Sequence, residues 1–231
     1  ADASRARGSS PDGALGAAAA TTVVLPGCTA VATDPDEARD AVRAVEGLTG
    51  CPCGVEAGTC CGAPLYDAGD RVAFAVQARA FAARVAGAGR VVTPDAGCAF
   101  VLRVVYPSLH LPLPPVLHLS ELAAEHLPQL QPLDEPRTVA VHDSCKLGRG
   151  LGVYEAPRAV LTPLLGHAPA ELGAHRAHGL CSGGGGLLPV TRPDTSRAIA
   201  EALAAEVAET VPGDDAVVVT GCLTSARQLR A

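Results

Sequence analysis

Three cysteine landmarks occur twice in this 231-residue chain, and that recurrence restricts the folds open to it. Cys28 recurs as Cys145, Cys60 as Cys181 and Cys98 as Cys222, at offsets of 117, 121 and 124 residues. A slow drift in offset is what loop insertions produce in a duplicated unit. Nine cysteines in all is an odd number, in a chain longer than a disulfide-stapled secreted domain, so a disulfide framework explains them poorly. Burial as small hydrophobes accounts for two or three scattered cysteines. It does not account for Cys60-Cys61-Gly62, for Cys51-Pro52-Cys53, or for cysteines at the ends of apolar runs.

The segments between the landmarks repeat in kind. In the first half, an apolar strand from Thr22 to Leu25 ends in Pro26-Gly27-Cys28, and a helix begins at Asp34 with Pro35 at its first turn. A loop from Thr49 to Asp70 precedes a helix over 70–86, a strand over 90–93, and Asp95-Ala96-Gly97-Cys98 with a short helix. A strand over 116–119 and a helix capped by Ser120 close the half. The second half runs through a strand over 138–142, Asp143-Ser144-Cys145, and a helix over 156–165. A Gly-rich loop with Cys181-Ser182-Gly183 follows, then a helix over 194–211, a strand over 216–220, Gly221-Cys222 and a last short helix. Strands alternating with helices predict an α/β fold: two pseudo-repeated subdomains, each a small, mainly parallel sheet flanked by helices. The predicted organisation is an arm or linker over 1–20, repeats over 21–129 and 137–231, and a linker over 130–136. Cys28, Cys98, Cys145 and Cys222 then fall at strand carboxyl ends, the edge where such sheets bind ligands. Helix N-termini beside them favour thiolate and point to a metal or redox site.

Composition excludes other classes. A net charge of −6, 3% aromatic residues and a single lysine, Lys146, argue against a nucleic-acid surface. The uncharged run from Gly13 to Thr33 is broken by Pro26-Gly27, so neither a membrane span nor a targeting segment is expected. Methionine is absent even at position 1, which fits either removal of an initiator or a chain that is the tail of a longer polypeptide. The expected location is the cytoplasm, in association with a membrane-bound complex. Gly148-x-Gly150-x-Gly152 is misplaced for a dinucleotide fingerprint, and no Lys-Ser/Thr follows Gly183 to Gly186 as a P-loop requires. His118 and His126 are expected to be packed or solvated, while His175 and His178 precede Cys181 closely enough to donate to a cluster sulfur. Lys146 and Arg149 flank Cys145, where they would balance negative charge.

Thirty-one residues separate Cys28 from Cys60 and 36 separate Cys61 from Cys98. This spacing resembles the cysteine-rich CCG domain, Cys-x31–39-Cys-Cys-x35–36-Cys-x2-Cys. That domain is known from heterodisulfide reductases and from the iron-sulfur subunits of lactate-utilisation and anaerobic glycerol-3-phosphate dehydrogenase systems. CCGAPLYDAGD is similar to the family's first loop, HDSCKLGRGLGVYEAPRAVL to its His-Asp-Pro-Cys-x-Leu-Gly-Arg segment, and LCSGGGGLL to its second loop with one cysteine changed. The resemblance implies an iron-sulfur oxidoreductase subunit holding a [4Fe-4S] cluster, cubane or non-cubane. Cys28, Cys60, Cys61, Cys98, Cys145, Cys181 and Cys222 would be the ligands. It also implies redox partner subunits of flavoprotein or ferredoxin type and electron delivery to a thiol or disulfide substrate. Gly62 and Gly183 would let backbone amides approach the sulfurs and tune the potential.

The chain departs from the family pattern at Val101, Ser182 and Ser225, which stand where cysteines would. The first site keeps four thiols, enough for a cluster or, alternatively, for zinc in an assembly subunit without catalysis of its own. The second keeps three, and is expected to be empty, to hold a cluster with one exchangeable position, or to recruit His142, Asp143 or Ser182. Cys51 and Cys53 are either ordinary loop cysteines, a reducible pair, or further ligands beside Cys60.

Overall fold

The computed structural model describes residues 22–134, 137–213 and 217–230. The predicted arm over 1–20 and the end of the linker at 135–136 lie outside the described residues. Among the described residues seven strands make two sheets. β1 (Thr22–Val24), β2 (Gly54–Val55), β3 (Arg90–Thr93) and β4 (Val116–His118) form one in the order β2-β1-β3-β4, and β5 (Val139–His142), β6 (Ala170–Glu171) and β7 (Val217–Thr220) form the other in the order β6-β5-β7. Every pairing is parallel, with Val23 opposite Val91 in the first sheet and Ala140 opposite Val218 in the second. The runs β2-β1-β3 and β6-β5-β7 therefore share one topology, and β4 is an addition to the first. The α/β expectation holds.

Parallel neighbours need crossovers, and helices supply them. The first repeat contains α1 (Cys28–Thr33), α2 (Pro35–Thr49), α3 (Ala63–Asp67), α4 (Arg71–Val85), α5 (Ala96–Phe100) and α6 (Leu119–Glu125). The second contains α7 (Gly148–Leu151), α8 (Glu155–Leu165), α9 (Leu188–Thr191), α10 (Pro193–Thr210) and α11 (Leu223–Arg230). Helix starts follow their caps: Asp34 accepts from the Glu37 amide and Asp70 from the Ala73 amide. α6 departs from the expectation that Ser120 caps it. β4 runs to His118 and α6 begins at the next residue, so the His118 ring accepts from the Ser120 amide while Glu121 reaches back to the His118 amide. β2, β6 and α3 fall in segments predicted as loop, because two paired residues or one short turn leave no periodicity to read.

The main core lies between the first sheet and α4. Phe74 and Phe81 from α4 meet Tyr106 edge-on, with ring centroids 5.9 and 6.1 Å away. Tyr106 donates its hydroxyl to the Cys61 carbonyl at 3.0 Å, which fixes the vicinal-cysteine loop to this aromatic cluster. On the opposite face, Val24, Val45, Leu48, Val92 and Leu122 pack α2 and α6 onto the sheet. Among the described residues no helix is long and apolar enough to cross a membrane. Phe81 is fully buried, so Phe81→Ala should cost about 3–5 kcal/mol in chemical denaturation of the metal-free protein. A loss below about 1 kcal/mol would show that this aromatic cluster does not anchor the repeat.

Candidate metal centre

The strand carboxyl ends of both sheets face one cleft of about 270 Å³. Cys28, Cys60, Cys61 and Cys98 of the first repeat and Cys145, Cys181 and Cys222 of the second all line it. Local chain geometry carries each sulfur there. Cys28 opens α1 after Gly27, Cys98 is the third residue of α5, Cys145 lies in the turn before α7, and Cys222 directly precedes α11. Cys98 thus sits inside its helix rather than ahead of it, because the residue that caps α5 is Asp95, three positions before it.

In the first repeat the thiols come as two pairs, Cys28 with Cys60 and Cys61 with Cys98, each 3.3 Å between sulfurs. Cys60 and Cys61 are neighbours in sequence, and each stands within 3.3 Å of a different further thiol. In the second repeat Cys145 and Cys181 form an electrostatically linked pair on the cleft. Ser182 and Ser225 bond to each other at 2.9 Å and are both buried. The Gly62 amide donates to Cys60 at 3.3 Å and the Gly183 amide to Cys181 at 3.4 Å. Both have positive φ, 85° and 76°, and a Cβ at Gly183 would stand 2.5 Å from the Ser196 carbonyl oxygen. Only glycine fits there.

The thiols are not equivalent electrostatically. The hydrogen bond from Cys145 outweighs burial and, with the Gly183 amide and Arg149, lowers Cys181 to about 5. Cys145, as the donor, is raised. Cys28 is raised in the same way by its bond to Cys60, then by burial. Cys61 donates to Cys98 and lowers it, but burial and Asp95 win and leave Cys98 at about 11. In the metal-free protein the Cys145–Cys181 pair therefore keeps one proton at neutral pH, and its exposed member is Cys181. Alkylation of Cys181 by iodoacetamide, followed by peptide mass spectrometry, should outpace that of the other cleft cysteines at pH 7 and fall off only below about pH 5. A profile rising through the ordinary thiol value near 9 would contradict this pairing.

Of the other candidates, Lys146 and Ser182 line the cleft and the rest lie elsewhere. Cys51 is exposed, and Cys53 faces Glu46, where burial and the carboxylate raise its thiol; neither lines the cleft. His142 is buried, its Nε2 donating to the Leu180 carbonyl and its Nδ1 accepting from Thr220, both at 3.0 Å. It braces the loop before Cys181 and does not line the cleft. His175 bonds the Leu172 carbonyl, and Arg149 donates to the Gly179 carbonyl at 2.6 Å. Lys146 does line the cleft and lies over the Phe100 ring at 4.2 Å, joining the two repeats.

Asp143 is a support, not a cleft residue. Burial opposes its charge, yet Arg158 grips both oxygens at 2.9 and 2.7 Å and the Arg176 amide adds a third bond at 2.6 Å, which holds the carboxyl below its usual value. Arg158 also grips Glu171 on β6 through two bonds of 2.6 Å. Sequence patterns gave no sign of Arg158, since a buried arginine on a helix is spelled like an exposed one. Arg158→Leu would leave the Asp143 charge buried and unpaired, at a cost of about 3–5 kcal/mol. The native value of Asp143 is lowered, so its contribution is present above the reference value of 3.8 and is lost as pH falls through the native one. Denaturation of the metal-free variant at pH 7 and pH 3 should show the deficit shrinking at the lower pH; a constant deficit would contradict the ion pair.

Among the described residues no three His, Cys, Asp or Glu side chains close around the position of a single metal ion. The sulfurs instead border a space wider than one ion's thiolate shell of about 2.3 Å radius. Seven thiols on one cleft, with amides directed at two of them, form a donor set that fits an iron-sulfur core.

Comparison with known proteins follows the same segments. The model of the CCG cysteine-rich domain matches residues 22–103 and again 139–230. One of the subunits of the dihydromethanophenazine:CoB–CoM heterodisulfide reductase of Methanosarcina mazei is 32% identical over 142 residues, 59% of this chain and 34% of that protein. One of the subunits of the fumarate reductase (CoM/CoB) of Methanothermobacter marburgensis is 32% identical over 154 residues, 66% of this chain and 29% of that protein. A probable iron-sulfur-binding oxidoreductase, FadF, of Bacillus subtilis is 34% identical over 112 residues, 46% of this chain and 15% of that protein. The chain spans about a third or less of the length of these relatives.

Proposed function

This chain belongs to the CCG cysteine-rich domain family, and from that premise we propose that it is an iron-sulfur subunit of an oxidoreductase complex, passing electrons from a flavoprotein or ferredoxin-type partner to a thiol–disulfide couple. The observation that carries this reading is the convergence of seven thiols, from two sheets, on one cleft. The relatives' names, as reductase subunits and an iron-sulfur-binding oxidoreductase, support the redox class. Its working place is the cytoplasm, docked on a membrane-bound complex.

Cys28, Cys60, Cys61 and Cys98 would hold one [4Fe-4S]-type cluster, and Cys145, Cys181 and Cys222 a second. A bound cluster supplies one-electron storage at a potential set by the surrounding charge and hydrogen bonds. The protein's own part is to exclude water and to fix the sulfurs. Cys61 and Cys98 are buried beneath the aromatic cluster, and the Gly62 and Gly183 amides withdraw charge from Cys60 and Cys181. The second site offers fewer ligands, because Ser182 and Ser225 satisfy each other. A position left open there would accept a substrate sulfur. Cleavage of a substrate disulfide takes two electrons, delivered singly by the partner, and two protons from solvent, and yields two thiols.

Anaerobically purified protein should carry several irons per chain, absorb broadly near 400 nm and give a paramagnetic signal on reduction. Cys60→Ala should remove the iron of the first site alone and Cys181→Ala that of the second. A colourless protein with about one zinc per chain would overturn the proposal in favour of a zinc-holding assembly role.

A further inference from the structure

The carboxyl ends of β3 and β7, one from each repeat, meet directly. The Ala96 amide donates to the Gly221 carbonyl at 3.0 Å, and His118 Nε2 lies 3.0 Å from both the Pro94 and the Gly221 carbonyl oxygens. Gly221 has no room for a side chain, since a Cβ would stand 2.6 Å from Leu147 and 2.8 Å from the His118 ring. Into this junction Asp95 projects its carboxylate. One oxygen accepts from the Cys98 amide at 2.9 Å, within its own repeat. The other accepts from the Leu223 amide at 3.2 Å, across the junction and one residue after Cys222. Asp95 also lines the cleft.

We propose that Asp95 is a positioning and potential-setting residue shared by both cysteine sites: a single carboxylate orients the backbone at Cys98 and at Cys222 and places one negative charge between the two centres. Its geometric half stands on the hydrogen bonds alone, and its redox half rests on the iron-sulfur reading above. A negative charge beside a centre disfavours the arrival of an electron, so Asp95 lowers the potential of both. His118 acts with it from the other side, its ring held neutral by burial and used as a donor to the two carbonyls that flank Asp95 and Cys222. No other carboxylate among the cleft-lining residues bonds amides of both repeats: Asp67, the remaining acidic member, belongs to α3 of the first.

Asp95→Asn removes the charge and leaves one acceptor oxygen where there were two. In iron-loaded protein, redox titration followed by electron paramagnetic resonance should show one-electron reduction of both centres roughly tenfold more favourable, about 59 mV each. Asp95→Glu, which restores the charge, should return both potentials most of the way. Asp36→Asn, an exposed carboxylate on α2, should move neither. In metal-free protein, hydrogen exchange should accelerate at the Leu223 or the Cys98 amide in Asp95→Asn. Normal iron content with one potential shifted, or with neither, overturns the shared-charge proposal. Unchanged exchange at both amides overturns the positioning. A wild-type protein that takes up no iron overturns the functional reading and the redox half together, and exchange at the two amides then decides the geometric half alone.

Discussion

The closeness with which the ends of β3 and β7 meet governs the chemistry available to this molecule. A parallel sheet sends all its strand carboxyl ends to one edge, but a three- or four-stranded sheet offers only a few such ends. Two sheets whose active edges abut double the supply. The cross-repeat bond from Ala96 to Gly221, the Asp95 bridge to Leu223 and the Lys146–Phe100 contact draw the edges together. Seven sulfurs reach one cleft because two backbones with no large side chain between them approach within a hydrogen bond.

Much of this arrangement was legible in the residues. The cysteine recurrence gave the duplication, apolar runs bounded by helices gave the parallel sheets, and Arg90 to Thr93 is predicted and observed as the same strand. The glycine after each paired-cysteine position carried its own reason, since an amide directed at sulfur needs a backbone free of Cβ. The strands β2 and β6 were not legible, because two residues gain their pairing only from the neighbour they add to. His142 and Asp143, placed by spacing beside Cys145, turn out to face inward. Thr220 and Leu180 occupy the histidine and Arg158 the aspartate, and such partners are distant in sequence. Asp95 was visible as part of Asp-Ala-Gly-Cys. A cap from Asp95 to the Cys98 amide follows from that spelling, but its second bond, to a residue 128 positions away, does not.

The two repeats have kept the same frame and diverged in their sulfur. The first holds its vicinal pair against Tyr106, with Cys61 and Cys98 both buried. In the second, the serine that replaces one vicinal thiol bonds to Ser225. Each hydroxyl answers the other, so neither is left buried without a partner, a condition that costs about 1–3 kcal/mol where it is not met.

That mutual satisfaction bears on any change at either position. A hydroxyl and a thiol make a poor couple at 2.9 Å, so a mutant restoring sulfur at position 182 or 225 alone would crowd its neighbour and forfeit a sound bond before regaining any ligand. The two positions are therefore coupled, and a return of sulfur to this corner of the cleft asks for both to change at once.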